Sequence, residues 1–111
     1  QSVPYQSLLQ SAPGEATATV RDRVMAAHGR AMQRQQQPNA RLMGESLTTH
    51  ATLDVQGHQF LQAVAARFQW SARRLHRVLR VARTIADLAD ADAITSAHLS
   101  EAVQYQRVLQ A

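Results

Sequence analysis

The clearest pattern in the chain is an apolar stripe that repeats with the period of an α-helix over residues 71–88. At about 100° per residue, its apolar side chains fall within one broad arc, as in a helix that faces a core. They are Leu75, Val78, Leu79, Ala82, Ile85 and Ala86. Ser71 precedes the stripe, and its hydroxyl can accept a hydrogen bond from a first-turn N–H. The pattern predicts one amphipathic helix capped by Ser71.

Three other segments also predict helices. The first runs from about Glu15 to Arg34, and its inward-facing residues are Val20, Val24, Ala27 and Ala31. The next follows Asp54 as N-cap and runs to about Gln69, with a stripe of Phe60, Leu61, Val64, Ala65 and Phe68. The last is capped by Thr95, and we expect its inward-facing residues to be Ala97, Leu99, Ala102, Val103 and Tyr105.

The segments between these helices are short. Pro38 ends the first helix, because proline disfavours helix in the residue before it. Residues 39–44 read as a connector, and residues 45–50 as one or two helical turns with Leu47 pointing inward. Trp70 lies at the corner before Ser71, so the helices on either side of it are expected to form a closely joined pair.

No alternation of apolar and polar residues persists long enough to build a sheet, so the sequence predicts an all-α fold. The expected architecture is a small bundle of four main helices plus one short helix. With 111 residues, the chain is long enough for one core and too short for two. Residues 1–14 read as an extended lead-in, which lacks an initial methionine and suggests a piece of a larger protein.

Composition excludes several classes of site. The chain has no cysteine, so disulfides, thiolate nucleophiles and cysteine zinc sites are excluded. Its histidines have no metal-binding spacing, and we expect no metal site. They are His28, His50, His58, His76 and His98. No run is apolar enough to cross a bilayer or to form a signal peptide, so a cytoplasmic location is expected.

All twelve basic residues are arginine, and the formal net charge is +4. Arg73, Arg77 and Arg80 gather on the polar side of the helix that Ser71 caps. An arginine in the first turn costs helix stability, because the helix N-terminus already carries partial positive charge. An anionic partner would offset that cost. The residues alone allow either a solvated face or phosphate contact, and Trp70 is either a core cover or a stacking surface for a base.

The chain lacks the usual signatures of an enzyme. It contains no phosphate-binding GxxxxGK[ST] loop, no nucleophile elbow and no paired carboxylates in a motif. Three aspartates lie near the end of the Ser71 helix, namely Asp87, Asp90 and Asp92, and we expect them to pair with Arg83 or to face water. The chain alone is therefore not expected to catalyse a reaction.

Several motifs, in the same order and spacing, resemble the C-terminal domain of magnesium chelatase-like AAA+ ATPases, in particular the ComM (YifB-like) group. The most specific is the run Val81-Ala-Arg-Thr-Ile-Ala-Asp-Leu88. The others are Val3-Pro-Tyr5, Pro13-Gly-Glu15, Arg23-Val24, Asn39-Ala-Arg-Leu42, Ser71-Ala-Arg73, His98-Leu99 and Glu101-Ala-Val-Gln-Tyr105.

This resemblance implies that residues 15–111 are the helical lid of an ATPase whose core lies outside this chain, with residues 1–14 as the connector. The Ser-x-Arg start of a lid helix resembles the sensor 2 motif, which assigns Arg73 to the nucleotide phosphates and makes Arg74 and Arg77 further candidates. ATP and Mg²⁺ are the implied cofactors of the parent protein, and neither is expected to bind this chain tightly on its own.

The resemblance also implies partners. They are the ATPase core, the neighbouring subunits of a hexameric ring, and DNA, on which ComM-like members act in branch migration during natural transformation. Two other hypotheses follow from the residues. One is a nucleic-acid-binding helical module that uses Arg77, Arg80 and Trp70, and the other is an adaptor bundle without a phosphate role.

Overall fold

The computed structural model describes residues 16–110 of the chain. Within that range the fold is all-α, and it confirms the predicted bundle of four main helices plus one short helix. The elements, in chain order, are α1 (Thr17–Gln35), a 3₁₀ turn (Asn39–Arg41), α2 (Gly44–His50), α3 (Val55–Phe68), α4 (Ala72–Leu88) and α5 (Ser96–Gln110). The lead-in predicted for residues 1–14 lies outside the described residues.

Side chains at the predicted caps start three of the helices. The carboxylate of Asp54 accepts a hydrogen bond of 2.7 Å from the Gly57 N–H at the start of α3. The Ser71 hydroxyl accepts one of 3.3 Å from Arg74 N–H at the start of α4. Thr95 Oγ1 lies 3.4 Å from the His98 N–H at the start of α5. These bonds satisfy N–H groups that have no partner inside the helix.

Helices α1 and α3 end where the backbone turns left-handed. Gln36 has a φ of 59° and closes α1 through a 2.9 Å bond from its N–H to the Met32 carbonyl. Gln69 has a φ of 54° and closes α3. Pro38 follows the first of these ends, as the sequence predicts.

Helix α4 lies at the centre of the fold and packs against α1, the 3₁₀ turn, α2 and α5. Its apolar stripe supplies the middle of the core, where Val78, Ala82 and Ala86 have no exposed surface. Leu42, Leu47 and Leu99 come from the surrounding elements and are also fully or almost fully buried. This position gives α4 one face buried in the core and an opposite face at the surface.

Some expected inward-facing residues lie at the surface. Val20 and Val24 are exposed, so the described residues bury only the Ala27 and Ala31 part of the α1 stripe. Tyr105 is also exposed, and the buried face of α5 continues instead to Gln106. The helices on either side of Trp70, α3 and α4, were expected to form a closely joined pair, but α3 packs chiefly against α5.

Candidate functional site

The start of α4 carries the residues that the sequence singles out for phosphate contact. Ser71 caps the helix, and Arg73 and Arg74 follow in the first turn. No acidic residue lies in that turn to neutralise them. Because the N-terminus of a helix is partially positive, two arginines at this place concentrate positive charge.

Arg73 is exposed at the surface of the domain. Among the residues that the structure describes, none forms a hydrogen bond or an ion pair with its guanidinium group. A guanidinium presents parallel N–H donors that match two oxygens of a phosphate or a carboxylate. Arg73 is therefore available to an external anion without breaking an internal contact.

The other arginines on α4 have different surroundings. Arg77 is exposed and lies one helical turn beyond Arg73 on the same side, whereas Arg74 is half-buried. Arg80 is half-buried, and its Nη1 donates a 3.2 Å hydrogen bond to the carbonyl oxygen of Leu42. The structure therefore groups Arg73 and Arg77 as exposed cations, while Arg80 is tied to the connector after the 3₁₀ turn.

Trp70 belongs to the core rather than to this exposed face. Only 6% of the residue is exposed, and its ring stacks on Phe68 with ring centroids 5.3 Å apart and an angle of 28° between the planes. The Arg107 guanidinium lies 4.7 Å from the centre of the Phe68 ring. With its ring packed in this way, Trp70 does not offer a face to a nucleic-acid base, and the core-cover interpretation describes it.

A buried polar network links α1, the 3₁₀ turn and α4, and of its contacts the sequence predicted only the pairing of Arg83 with Asp87. At its centre, the Asp87 carboxylate accepts two 3.0 Å bonds from the guanidinium of Arg34, one to each oxygen. Asn39 Nδ2 donates a third bond of 2.9 Å to the same carboxylate. Gln35 Nε2 in turn donates to Asn39 Oδ1 over 2.8 Å. The network fixes the position of the connector against α4.

Arg83 adds a second cation to the network. Its Nη2 lies 3.1 Å from Asp87 Oδ1, one helical turn away, and only 3% of the residue is exposed. Its other bonds go to the carbonyl oxygens of Ala91 at 2.9 Å and Asp92 at 3.0 Å, in the loop after α4, and to that of His50 at 3.4 Å, at the end of α2. The predicted pairing of Arg83 with Asp87 is confirmed. Arg83 does not belong to a solvated face, because it is buried and joins α4 to the loop that follows the helix.

Burial and the contacts of the network shift the pKa values of Asp87 and Arg83. Burial by itself raises the pKa of Asp87, but the hydrogen bonds from Arg34 and Asn39 and the charges of both arginines outweigh it, so the pKa lies below its ordinary value. Burial lowers the pKa of Arg83, and the charge of Asp87 opposes that effect. The carboxylate is therefore held in its charged form.

A signal for this network was present in the sequence. Arg83 and Asp87 are four residues apart and flank the apolar stripe of α4, a position where a charged pair is partly covered by neighbouring helices. The involvement of Asn39 and Gln35 depends on how the connector folds back, which a helical period does not specify. Within residues 16–110, no three acidic or histidine side chains come together to hold a metal ion.

Comparison with known proteins gives a family match along most of the chain. The protein-family model that describes the C-terminal domain of the magnesium chelatase subunit ChlI matches residues 14–106 of this chain. Two relatives carry the description "Uncharacterized protein YifB". The one from Salmonella typhimurium is 42% identical over 95 residues, and the one from Escherichia coli is 41% identical over 96 residues.

A third relative has a description that names a process. The "Competence protein ComM" of Haemophilus influenzae is 33% identical to this chain over 96 residues. Each of the three alignments covers 86% of this chain but only 19% of the relative. The chain thus spans about a fifth of the length of these proteins.

Proposed function

This chain belongs to the family of C-terminal domains of the magnesium chelatase subunit ChlI, in its ComM- and YifB-like group, and we propose that it serves as the helical lid of an AAA+ ATPase in which Arg73 contacts the nucleotide phosphates. The parent protein is proposed to bind ATP and Mg²⁺ in a core that lies outside this chain. The lid then contributes a cation and a rigid lever to that site.

One observation carries the proposal. Arg73 is an exposed arginine at a helix start, where its charge is unfavourable for the helix, and no described residue neutralises it. Phosphate oxygens would supply that missing partner with two parallel hydrogen bonds. A fixed cation near a phosphoryl group stabilises charge that develops during hydrolysis.

The rest of α4 is held rigidly in the domain, so that a movement at Arg73 can be passed to the other helices. Its C-terminal half is fixed by the Asp87 network to α1 and the connector, and its apolar face is buried in the core. A displacement at Arg73 therefore moves the domain as one packed body, as lids do when they close over a nucleotide. Arg74 and Arg77 lie close enough in sequence to assist Arg73.

We further propose that the parent assembles into a ring and acts on DNA. The support is the similarity to ComM, which is described as a competence protein. In such a ring the core of the same subunit and the neighbouring subunits are the partners of this domain. The proposed reaction is hydrolysis of ATP, with DNA movement as the work performed.

The test is steady-state ATP hydrolysis by the intact parent protein, comparing wild type with Arg73→Ala. We expect the rate to fall about a hundredfold or more, since a preorganised contact to the transferring phosphoryl group is typically worth that much. Arg73→Lys keeps the charge but loses the planar fork, and we expect it to restore only part of the activity.

The matched control is Arg21→Ala, which removes an exposed arginine from α1. It should leave the rate unchanged, and size-exclusion chromatography should show equal assembly for all variants. If Arg73→Ala hydrolyses ATP as fast as wild type, the phosphate role of Arg73 is wrong. Family membership would then support a lid that works through contacts other than this arginine.

A further inference from the structure

A groove of about 450 Å³ lies between the 3₁₀ turn, α4 and α5. One end is formed by Arg77 and Arg80, and Val81 and Ile85 form part of its lining. Tyr105 from α5 lines the groove as well. A second depression of about the same volume shares Val81, Ile85 and Tyr105 and continues along α5, so the two form one extended surface.

The charges of the first groove are unbalanced. Its lining includes two guanidinium groups and no acidic side chain. Arg77 is exposed and has no partner among residues 16–110, and Arg80 uses only its Nη1 in the bond to the Leu42 carbonyl. The bond to Leu42 also holds the Arg80 side chain in place. The two uncompensated positive charges therefore favour a ligand that carries negative charge as well as apolar groups.

The groove also offers an aromatic surface. Tyr105 is 54% exposed, although it lies beside the apolar side chains of α4. Exposed aromatic rings next to arginine side chains are typical of sites that hold unpaired bases by stacking and their phosphates by charge. Bases in a duplex are already stacked on each other, so a paired base must first be unstacked, whereas an unpaired base of a single strand reaches such a ring without that cost.

We propose that this groove is a contact site for single-stranded nucleic acid, with backbone phosphates on Arg77 and Arg80 and a base stacked on Tyr105. It deepens the DNA part of the proposed function and rests on it. Glu101 lines the second depression and repels phosphate, so the bound segment is confined to the arginine end. The site is therefore expected to hold one or two nucleotides and to bind them without base preference.

The test is an NMR titration of the 111-residue chain with an oligothymidylate of about eight nucleotides at low salt. Chemical-shift changes are expected at Arg77, Arg80, Val81, Ile85 and Tyr105. Two phosphate contacts on a single strand give an expected slope of about −1.4 in the logarithm of affinity against the logarithm of salt concentration.

Variants separate the two parts of the site. Arg77→Ala should reduce the salt dependence by about half, because it removes one of two phosphate contacts. Tyr105→Ala should weaken binding about fivefold or more, while Tyr105→Phe retains the stacking ring and should bind like wild type. Arg21→Ala removes an equal charge outside the groove and should change neither affinity nor slope.

Other outcomes would overturn the proposal. Shift changes that appear elsewhere, or none at millimolar oligonucleotide, would show that the groove does not bind a strand. A peptide of alternating glutamate and leucine that shifts the same residues at lower concentration would assign the groove to a protein partner. In the intact parent, Tyr105→Ala should leave DNA-free ATP hydrolysis unchanged, so failure here is distinguishable from failure of the Arg73 proposal.

Discussion

Asp87 shows most clearly how a single residue determines the arrangement of this domain. Its side chain is only 1% exposed, yet it carries a charge that two arginines compensate and to which one asparagine donates a hydrogen bond. Two guanidinium groups share this one carboxylate. Removing its charge would therefore leave two cations close together in a largely buried place, which is more costly than losing a hydrogen bond between neutral groups.

We expect Asp87→Asn to lower the free energy of unfolding at neutral pH by about 3–5 kcal/mol, the range observed when one partner of a buried ion pair is removed. Urea unfolding followed by circular dichroism measures it. The matched control is Asp22→Asn, which neutralises an exposed aspartate on α1 and should change stability by less than about 0.5 kcal/mol. Equal effects of the two variants would contradict a structural role for the network.

The two aromatic residues considered for partners show what a sequence leaves undetermined. Trp70 and Tyr105 both border an apolar stripe, but the first is 6% exposed and the second 54%. On α5 the buried positions are Leu99, Ala102, Val103 and Gln106, which have the spacing of one helix face. Because Gln106 is polar, the apolar pattern of the sequence predicted Tyr105, and not Gln106, as the last inward-facing residue of this helix. Which helix face is buried depends on neighbouring elements.

At the scale of elements, the sequence specified the helices well because their signals are local. The apolar period and the cap residues Asp54, Ser71 and Thr95 placed each start to within about two residues, the accuracy expected for helix ends. The connector was different. Asn39 looked like an ordinary loop residue, but it is 9% exposed and joins α1 to α4. Such contacts between distant residues have no periodic signature.

The caps give a prediction about α3 and α4. Asp54→Ala should lower stability by about 1–2 kcal/mol, because it removes a 2.7 Å bond and a negative charge at the positive end of α3. Ser71→Ala removes a longer, exposed bond of 3.3 Å and should cost less, about 0.5–1 kcal/mol. Thermal unfolding of the two variants under identical conditions compares them. A larger loss for Ser71→Ala would mean that hydrogen-bond length and charge do not control these helix starts.

At the scale of the whole molecule, the buried charges and the exposed arginines of α4 lie in different halves of the helix. The C-terminal half of α4 holds the Asp87 network, and its N-terminal half carries Arg73 and Arg77 at the surface. No helix within residues 16–110 is long and apolar enough to span a membrane. Exposed apolar residues lie on α1 and near the end of α5.

The lowered pKa of Asp87 predicts that acid destabilises the domain. Because the pKa of Asp87 is lower in the folded than in the unfolded chain, its contribution to stability is complete above the ordinary value of 3.8. The contribution is lost as the pH falls from there through the folded-state pKa.

The stability difference between wild type and Asp87→Asn should therefore stay constant from about pH 8 to pH 5 and shrink as the pH falls below the ordinary carboxyl pKa. Urea unfolding at a series of pH values measures this difference, and Asp22→Asn again serves as the control. A difference that persists undiminished at the lowest pH at which the chain still folds would mean that Asp87 acts through its shape and hydrogen bonds rather than through its charge. In that case the arginines of the network would be held by neutral contacts, and the rigid half of α4 would be insensitive to acid.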